Sequence, residues 1–197
     1  NYGSTGSVSI YPPREHCNSQ GVNDMGLTPE FLPGYQPSGK TNPDMFESCK
    51  DGTTKFLYIA GEDPVGTYYK PQLVKEALKT VPFLIVTDVF MTETARMADL
   101  VLPSSTYAEK DGTYTNMSRH IQGVASAVLP QGTSKPDFDI LIELAEVLGK
   151  PFNPSALSEI QQEIEQAAPI YKGAFPGDQS KQWVPATSSK KPALKIN

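Results

Sequence analysis

Hydroxyl and carboxylate side chains follow two apolar runs of this sequence, at the points where buried strands are expected to end. The first group follows the run at residues 55–60 and the second follows the run at residues 83–86. The groups are Asp63 and Thr67 in the first, and Thr87, Asp88, Thr92 and Thr94 in the second. Side chains of these types can hydrogen-bond the base, ribose or phosphates of a nucleotide. The pattern therefore indicates a nucleotide-binding edge.

Arg14 is the positive charge of a loop-like segment at residues 10–35, which is rich in Pro, Gly, Asn and aromatic residues. Arg14 is either a plain surface residue or a ligand for a small anion, for which a planar guanidinium is suited. His16 and Cys17 are adjacent, so on an extended chain their side chains point to opposite faces, and they make a poor metal-ligand pair. No metal site is predicted.

The elements that position the two polar groups are predicted to form an α/β fold. Runs at 55–60, 83–88 and 99–103 are apolar without alternation, which is typical of a parallel sheet covered on both faces. The amphipathic segment 71–80 predicts a helix that joins the first two strands in a right-handed crossover, and 92–98 predicts a second, shorter helix. Both polar groups then share the carboxyl edge of the sheet, where such folds bind ligands.

The remaining segments are assigned more coarsely. A short helix is expected near 45–49, a hairpin whose turn is Lys110-Asp111-Gly112, and helices at 137–148 and 158–168. These assignments divide the chain into a loop-rich segment at 1–54, a cofactor-binding domain at 55–168 and an extended tail at 169–197 in which Trp183 is the one anchor candidate.

Composition excludes several classes of function. A formal net charge of −5 argues against a protein that binds the phosphate backbone of a nucleic acid. No apolar run approaches the roughly 20 residues that a membrane helix needs, so direct membrane insertion is not expected. The turn after residue 60 is not GxGxxG, which argues against NAD or FAD held in the usual way. Two cysteines without CxxC spacing fit a reducing compartment, so we expect a cytoplasmic protein.

Three blocks together resemble the molybdopterin oxidoreductase family, and in particular the large subunits of formate dehydrogenases and of NADH:quinone oxidoreductase. The blocks are PREHCNSQGVNDMGLTPEFLPGY from Pro13, LYIAGEDPVGT from Leu57 and TDVFMTETARMADLVLPSSTYAEKDGTYTN from Thr87. The resemblance implies a Rossmann-like parallel sheet with flanking helices, plus irregular N- and C-terminal segments. It also implies that the sheet holds one of two molybdopterin guanine dinucleotides carrying molybdenum or tungsten.

Residue by residue, the resemblance places Arg14 beside the metal and the substrate, as the catalytic candidate. The expected cofactor-binding residues are Gly61, Glu62, Asp63, Thr67, Thr87, Asp88, Thr94 and Asp99. Because the chain starts at Asn1, and lacks the family's iron–sulfur module and metal ligand, we expect an internal piece of a longer protein that has no redox activity alone.

The resemblance further implies partners: the other domains of the parent chain, electron-transfer subunits and a small-molecule substrate, with formate oxidation as the parent reaction. Two alternatives remain open from the sequence. One is a scaffold subunit of a complex-I-like assembly whose pterin site has decayed, and the other is an unrelated nucleotide-binding module.

Overall fold

The computed structural model describes residues 17–27, 31–33, 36–37, 42–116, 120–151, 154 and 157–175. The helices are α1 (Ser19–Asp24), α2 (Asn42–Lys50), α3 (Pro64–Thr67), α4 (Pro71–Thr80), α5 (Asp137–Val147) and α6 (Leu157–Ala167), with 3₁₀ turns at Ala95–Met97, Tyr107–Glu109 and Pro169–Tyr171. The strands are β1 (Phe31–Leu32), β2 (Gln36–Pro37), β3 (Leu57–Ala60), β4 (Leu84–Asp88), β5 (Leu100–Pro103), β6 (Gly112–Thr115) and β7 (Ile121–Val124).

The three predicted strands form one parallel sheet in the order β3-β4-β5, which confirms the α/β fold class. Ile59 lies opposite Val86 in the first pair, and Val86 lies opposite Val101 in the second. Helix α4 has the predicted bounds, and Pro71 opens it. A proline is tolerated there because the first helical N–H needs no intrahelical partner. All three strands therefore end at the same edge of the sheet.

One face of the sheet carries the main core. Leu84 and Val86 of the central strand are almost fully buried there, against Val74 and Leu78 of α4 and Cys49 of α2. The outer strands are less covered than the apolar runs predicted, since Leu100 is 40% exposed. Full burial on both faces is thus found for the central strand, β4, and not for its two neighbours.

The predicted hairpin exists, but the prediction of its turn was wrong. Strand β6 begins at Gly112, and the chain reverses between Asn116 and His120. That reversal is closed by a hydrogen bond from Asn116 N to His120 O at 3.0 Å. Lys110 and Asp111 do not form this turn. Lys110 pairs with Asp137, and the Asp111 carboxylate accepts a hydrogen bond from Ser126 N at 2.7 Å.

The helix expected at 92–98 is reduced to the single 3₁₀ turn Ala95–Met97. Thr94 precedes this turn and is fully buried, so tertiary hydrogen bonds rather than helix propensity set the path of the chain. Helix α5 ends at Val147, one residue before the predicted bound, and Gly149 follows with φ of 69°. Glycine adopts that left-handed backbone without strain, so it terminates the helix.

A second, smaller core lies around the hairpin. Ile121 of β7 packs there with Ala168, Tyr171 and Ala174, all of which are buried. The folded part of the chain therefore continues past 168, where the sequence predicted an extended tail, to at least Phe175. Trp183 lies outside the described residues. Within the described ranges, no helix has the length and apolarity that crossing a bilayer requires.

Candidate functional site

The Asp63 carboxylate joins the loops that follow β3 and β4. Its Oδ1 accepts hydrogen bonds from Gly66 N at 3.2 Å, Thr94 N at 3.0 Å and Thr94 Oγ1 at 2.6 Å. The first bond caps α3, and the other two hold the second loop, 31 residues away along the chain. One carboxylate therefore sets the geometry of both strand-tip loops.

Thr94 completes this clamp from the other side. Its hydroxyl accepts from Val65 N at 3.0 Å while donating to Asp63, and the side chain has no exposed surface. Partial burial raises the pKa of the Asp63 carboxyl, but the hydrogen bonds from Thr94, Gly66 and the Glu93 backbone outweigh it. The pKa is therefore held below its ordinary value, and Asp63 is charged at neutral pH.

The outer surface of the same edge is open. Gly61 and Glu62 are exposed, and Gly61 has φ of 64° with no atom within 4 Å of where a Cβ would stand. On the second loop Phe90 is 76% exposed and Met91 is 55% exposed. The exposed ring of Phe90 can accept the flat face of a ligand.

Asp88 and Thr67 stand at this edge as expected. Asp88 is half-buried, and its Oδ1 accepts from Phe90 N at 3.1 Å, which shapes the turn after β4. Of the residues that the structure describes, none donates to its Oδ2. Thr67 is exposed, and its hydroxyl donates to Asp63 O at 2.8 Å. The structure thus brings Gly61, Glu62 and Asp88 to one accessible edge.

The placement of three other predicted residues changes the role we expected for them. Thr87 has no exposed surface, and its hydroxyl donates to the Tyr58 hydroxyl at 2.9 Å. Thr94 is equally buried, so these two side chains support the loops from within rather than reaching a ligand. Asp99 precedes β5 at the opposite edge of the sheet, where its Oδ2 accepts from Leu84 N at 2.7 Å. Asp99 is therefore not part of this site.

Sequence reasoning missed a third loop at the same edge, after β5. Ser104 N donates to Asp88 O at 3.1 Å, and Thr106 N donates to Glu109 Oε2 at 2.7 Å. Thr106 and Glu109 make a reciprocal capping box, whose T-x-x-E pattern was readable in the sequence. The backbone N–H of Thr106 holds the pKa of the Glu109 carboxyl below its ordinary value despite burial. This loop is therefore ordered by its own carboxylate.

Ser105 in that third loop has an unusual hydroxyl. The residue is 1% exposed, and its Oγ has no hydrogen-bond partner within the part of the chain that the structure describes. Buried hydroxyls are normally paired, because an unmade hydrogen bond costs about 1–3 kcal/mol. Ser105 therefore carries an unsatisfied hydroxyl that is buried beneath the third loop.

A cavity of about 210 Å³ connects this loop to the N-terminal part of the chain. Asn18, which precedes α1, lines one wall, and Tyr107 and Lys110 line another. Arg14, the predicted catalytic residue, lies outside the described residues. Cys17 is exposed and free, and in the ranges described no three His, Cys, Asp or Glu side chains come together as a metal-binding group would require.

Comparison with known proteins shows the family of this chain. A family model for molybdopterin oxidoreductases matches residues 22–147, which is more than half of the chain and includes all three strand-tip loops. The chain belongs to the molybdopterin oxidoreductase family. The resemblance drawn from the three sequence blocks is thereby confirmed.

Curated relatives of this family member carry formate dehydrogenase names. The α subunit of an F420-dependent formate dehydrogenase from Methanocaldococcus jannaschii is 40% identical over 195 residues. A putative formate dehydrogenase from Staphylococcus haemolyticus is 38% identical over 208 residues. The matches cover 88% and 93% of this chain, but only 28% and 21% of the two relatives. The family member described here thus spans about a quarter of such a protein.

A solved structure supports the fold. Acetylene hydratase from Pelobacter acetylenicus superimposes with a TM-score of 0.52 at 22% sequence identity. The superposition covers 68% of this chain and 20% of that protein. At that identity the similarity shows the fold alone. The parallel sheet and its helices are arranged as in part of a much larger enzyme.

Proposed function

We propose that this chain is the part of a formate dehydrogenase-like enzyme that binds the guanine end of one molybdopterin guanine dinucleotide. The observation that carries the proposal is the Asp63–Thr94 clamp, which holds two adjacent strand-tip loops together while Glu62 and Asp88 remain accessible beside it. A rigid edge of this kind can orient a cofactor without paying an ordering cost each time it binds.

The chemistry of the edge fits guanine. Carboxylates only accept hydrogen bonds, and the pairing edge of guanine offers donors at N1 and N2, whereas adenine offers a single amino donor beside an acceptor. Glu62 and Asp88 therefore favour the base of a guanine nucleotide and repel its phosphates. Phe90 provides an exposed ring near the same loop.

In the parent reaction, formate would lose two electrons and one proton and become carbon dioxide. The bound cofactor supplies the molybdenum or tungsten centre that accepts those electrons. The residues of this chain orient and hold: Asp63 and Thr94 fix the loops, Glu62 and Asp88 bind the base, and Arg14 binds the formate carboxylate through charge-assisted hydrogen bonds. Electron-transfer subunits would take the electrons onward.

The test uses the full-length parent protein. We expect molybdenum or tungsten to copurify, guanine nucleotide to be released on denaturation, and formate to reduce an artificial electron acceptor. Glu62→Gln and Asp88→Asn should each lower the bound guanine nucleotide by roughly tenfold, because each loses one charged acceptor. The 197-residue chain alone should not oxidise formate.

Asp99→Asn is the matched control, since this carboxylate lies at the opposite edge. It should leave the nucleotide content unchanged. A parent protein that contains neither metal would indicate the scaffold function instead, and release of an adenine nucleotide in place of guanine would overturn the assignment of the base.

A further inference from the structure

Helix α5, together with Leu148 at its C-terminal end, is apolar over most of its circumference. Successive helical residues are rotated by about 100°, so its apolar side chains occupy an arc of about 220°. The arc runs from Val147 and Ile140 on one side, through Leu148, to Phe138 and Ile142 on the other. A surface helix usually has a narrower apolar stripe, and a helix that is apolar on nearly all sides is usually buried. The sequence of α5 is therefore typical of a helix in a protein interior.

The polar side of α5 is narrow. It carries Asp139, Glu143 and Glu146, at the i, i+4 and i+7 spacing of a single stripe. Asp139 and Glu146 are exposed, and Lys135 Nζ donates to Glu143 Oε1 at 2.6 Å in an exposed ion pair. This stripe is thus the side of the helix that faces water.

Much of the apolar arc is uncovered. Ile140 is 6% exposed, and among the residues that the structure describes it is the one buried residue of α5. Leu141 is 48% exposed, Leu148 is 65% exposed and Val147 is 84% exposed. Leu141 and Leu148 lie on one face of the helix, with the half-buried Leu144 between them. These three leucines are called the α5 face.

The N-terminal end of α5 is fixed to the sheet. Lys110, which follows the third strand-tip loop, pairs with Asp137 at the first residue of the helix. The segment before the helix runs beside the end of β5, since Lys135 N donates to Pro103 O at 3.1 Å and Ser105 N donates to Lys135 O at 2.8 Å. The α5 face therefore belongs to a helix that is held at a defined place, and not to a loosely attached end.

The α5 face alone is too small for a stable contact between separate molecules. A helix of 11 residues is about 16 Å long and about 10 Å wide, so one face offers roughly 160 Å². Specific complexes bury about 800 Å² on each partner, because association must offset the loss of translational and rotational freedom. A segment that is covalently joined to the helix does not lose that freedom again, so it can pack on a small face.

We propose that the α5 face packs against an apolar segment of the parent polypeptide that lies outside these 197 residues. This chain spans about a quarter of the relatives that it matches, so a parent of that length has ample sequence to supply such a segment. The family model extends to residue 147 and so includes the helix, which favours a permanent contact over a transient one. The covering surface is aliphatic, because the face consists of leucines and the acidic stripe points away from it.

The first experiment measures access to the α5 face in the full-length protein. Leu148→Cys places a thiol on the face, and its reaction with a maleimide is followed by mass spectrometry of the peptide that contains it. Glu146→Cys is the matched control, since it lies two residues away on the stripe that faces water. We expect the thiol at position 148 to react at least roughly 50-fold more slowly than the one at 146, because burial excludes the reagent and disfavours the thiolate. Rates within about threefold of each other would overturn the proposal.

The second experiment identifies what covers the face, and it needs no substitution. Photo-leucine, which has nearly the shape of leucine, is incorporated into the full-length protein, which is mixed with an isotope-labelled copy and irradiated. Leu141 and Leu148 should form cross-links to one segment of the same polypeptide outside residues 1–197. Cross-links from them to the labelled copy, to a separate subunit or only to residues within this chain would each show that the assigned occupant is wrong.

If no cross-link forms, the labelling rates decide, measured at two protein concentrations that differ a hundredfold. Protection of Leu148→Cys that persists on dilution supports a segment of the same polypeptide, and protection that is lost on dilution indicates a second copy or a separate subunit. Neither measurement uses formate or the cofactor content. Failure of the proposed function would therefore leave this inference standing, and failure of this inference would leave the proposed function unaffected.

Discussion

The Asp63 clamp and the contacts that hold α1 use the same device in different surroundings. The second set, in which Asn18 accepts from Thr115 N and Asp24 accepts from the Tyr171 hydroxyl, is called the α1 dock. In each, a side chain before a short helix reaches a neighbouring loop or strand, and a glycine three residues later makes room for it: Gly66 for Asp63, and Gly21 for Asn18. The clamp joins consecutive units of one sheet, 31 residues apart. The dock joins segments 97 and 147 residues apart.

Contacts between consecutive elements can be predicted from a sequence more readily than contacts between distant segments. Strands joined by crossover connections run parallel, so the turns at their carboxyl ends must meet at one edge whatever the side chains do. Nothing comparable links residue 24 to residue 171. Four experiments test how far the two regions differ, and they follow in order of expected effect.

Asp63→Ala should be the most destabilising change in either region. It removes one helix cap and two hydrogen bonds to Thr94, and it leaves the buried Thr94 hydroxyl without its acceptor. We expect a loss of about 2–3 kcal/mol in the free energy of unfolding, measured by urea titration of this chain. Glu62→Ala, next to it and exposed, should change stability by less than about 0.5 kcal/mol. Equal effects would mean that the clamp does not hold the loops.

Tyr171→Phe should cost less, about 1–2 kcal/mol, because one hydroxyl is lost and the ring remains packed against Phe175. The matched control is Tyr69→Phe, in which the ring is 72% exposed and little should change. A loss as large as that of Asp63→Ala would show that the dock, and not the clamp, is the more strongly stabilised region.

Some features of the fold and of the site could be predicted from the sequence, and others could not. The three strands, α4 and the shared edge followed from apolar runs and one amphipathic helix, because local patterns and crossover handedness determine them. The buried positions of Thr87 and Thr94 did not follow, since a threonine at a strand end is equally suited to a ligand or to a neighbouring hydroxyl. Helix α1 was read as loop because tertiary hydrogen bonds, and no apolar period, maintain it.

The two glycines allow a direct comparison. A Cβ at position 66 would overlap Asp63 Oδ2, and Asp63 is held by Thr94, so Gly66→Ala should cost about 1–2 kcal/mol. A Cβ at position 21 would overlap the end of the Asn18 side chain, which can rotate away, and alanine gains about 1 kcal/mol in helix propensity. Gly21→Ala should therefore change unfolding free energy by less than about 1 kcal/mol while breaking the bond to Thr115. Exchange rates of the Thr115 amide would detect that loss.

The smallest effect concerns acid stability of the clamp. The folded pKa of Asp63 lies below the ordinary value of an aspartate carboxyl, so folding favours its charged form. The stability that it contributes is fully present above the unfolded pKa of about 3.9 and is lost as the pH falls through the lower folded pKa. In Asp63→Asn, the free energy of unfolding should therefore depend less on pH than in the wild type below about pH 4. Above about pH 5 the two plots of unfolding free energy against pH should be parallel.

Glu109 also has a lowered pKa and remains in the variant, so the variant should still lose some stability in acid. Unfolding curves that stay parallel down to pH 2 would show that the Asp63 charge does not contribute to the clamp, and that neutral hydrogen bonds join the two loops.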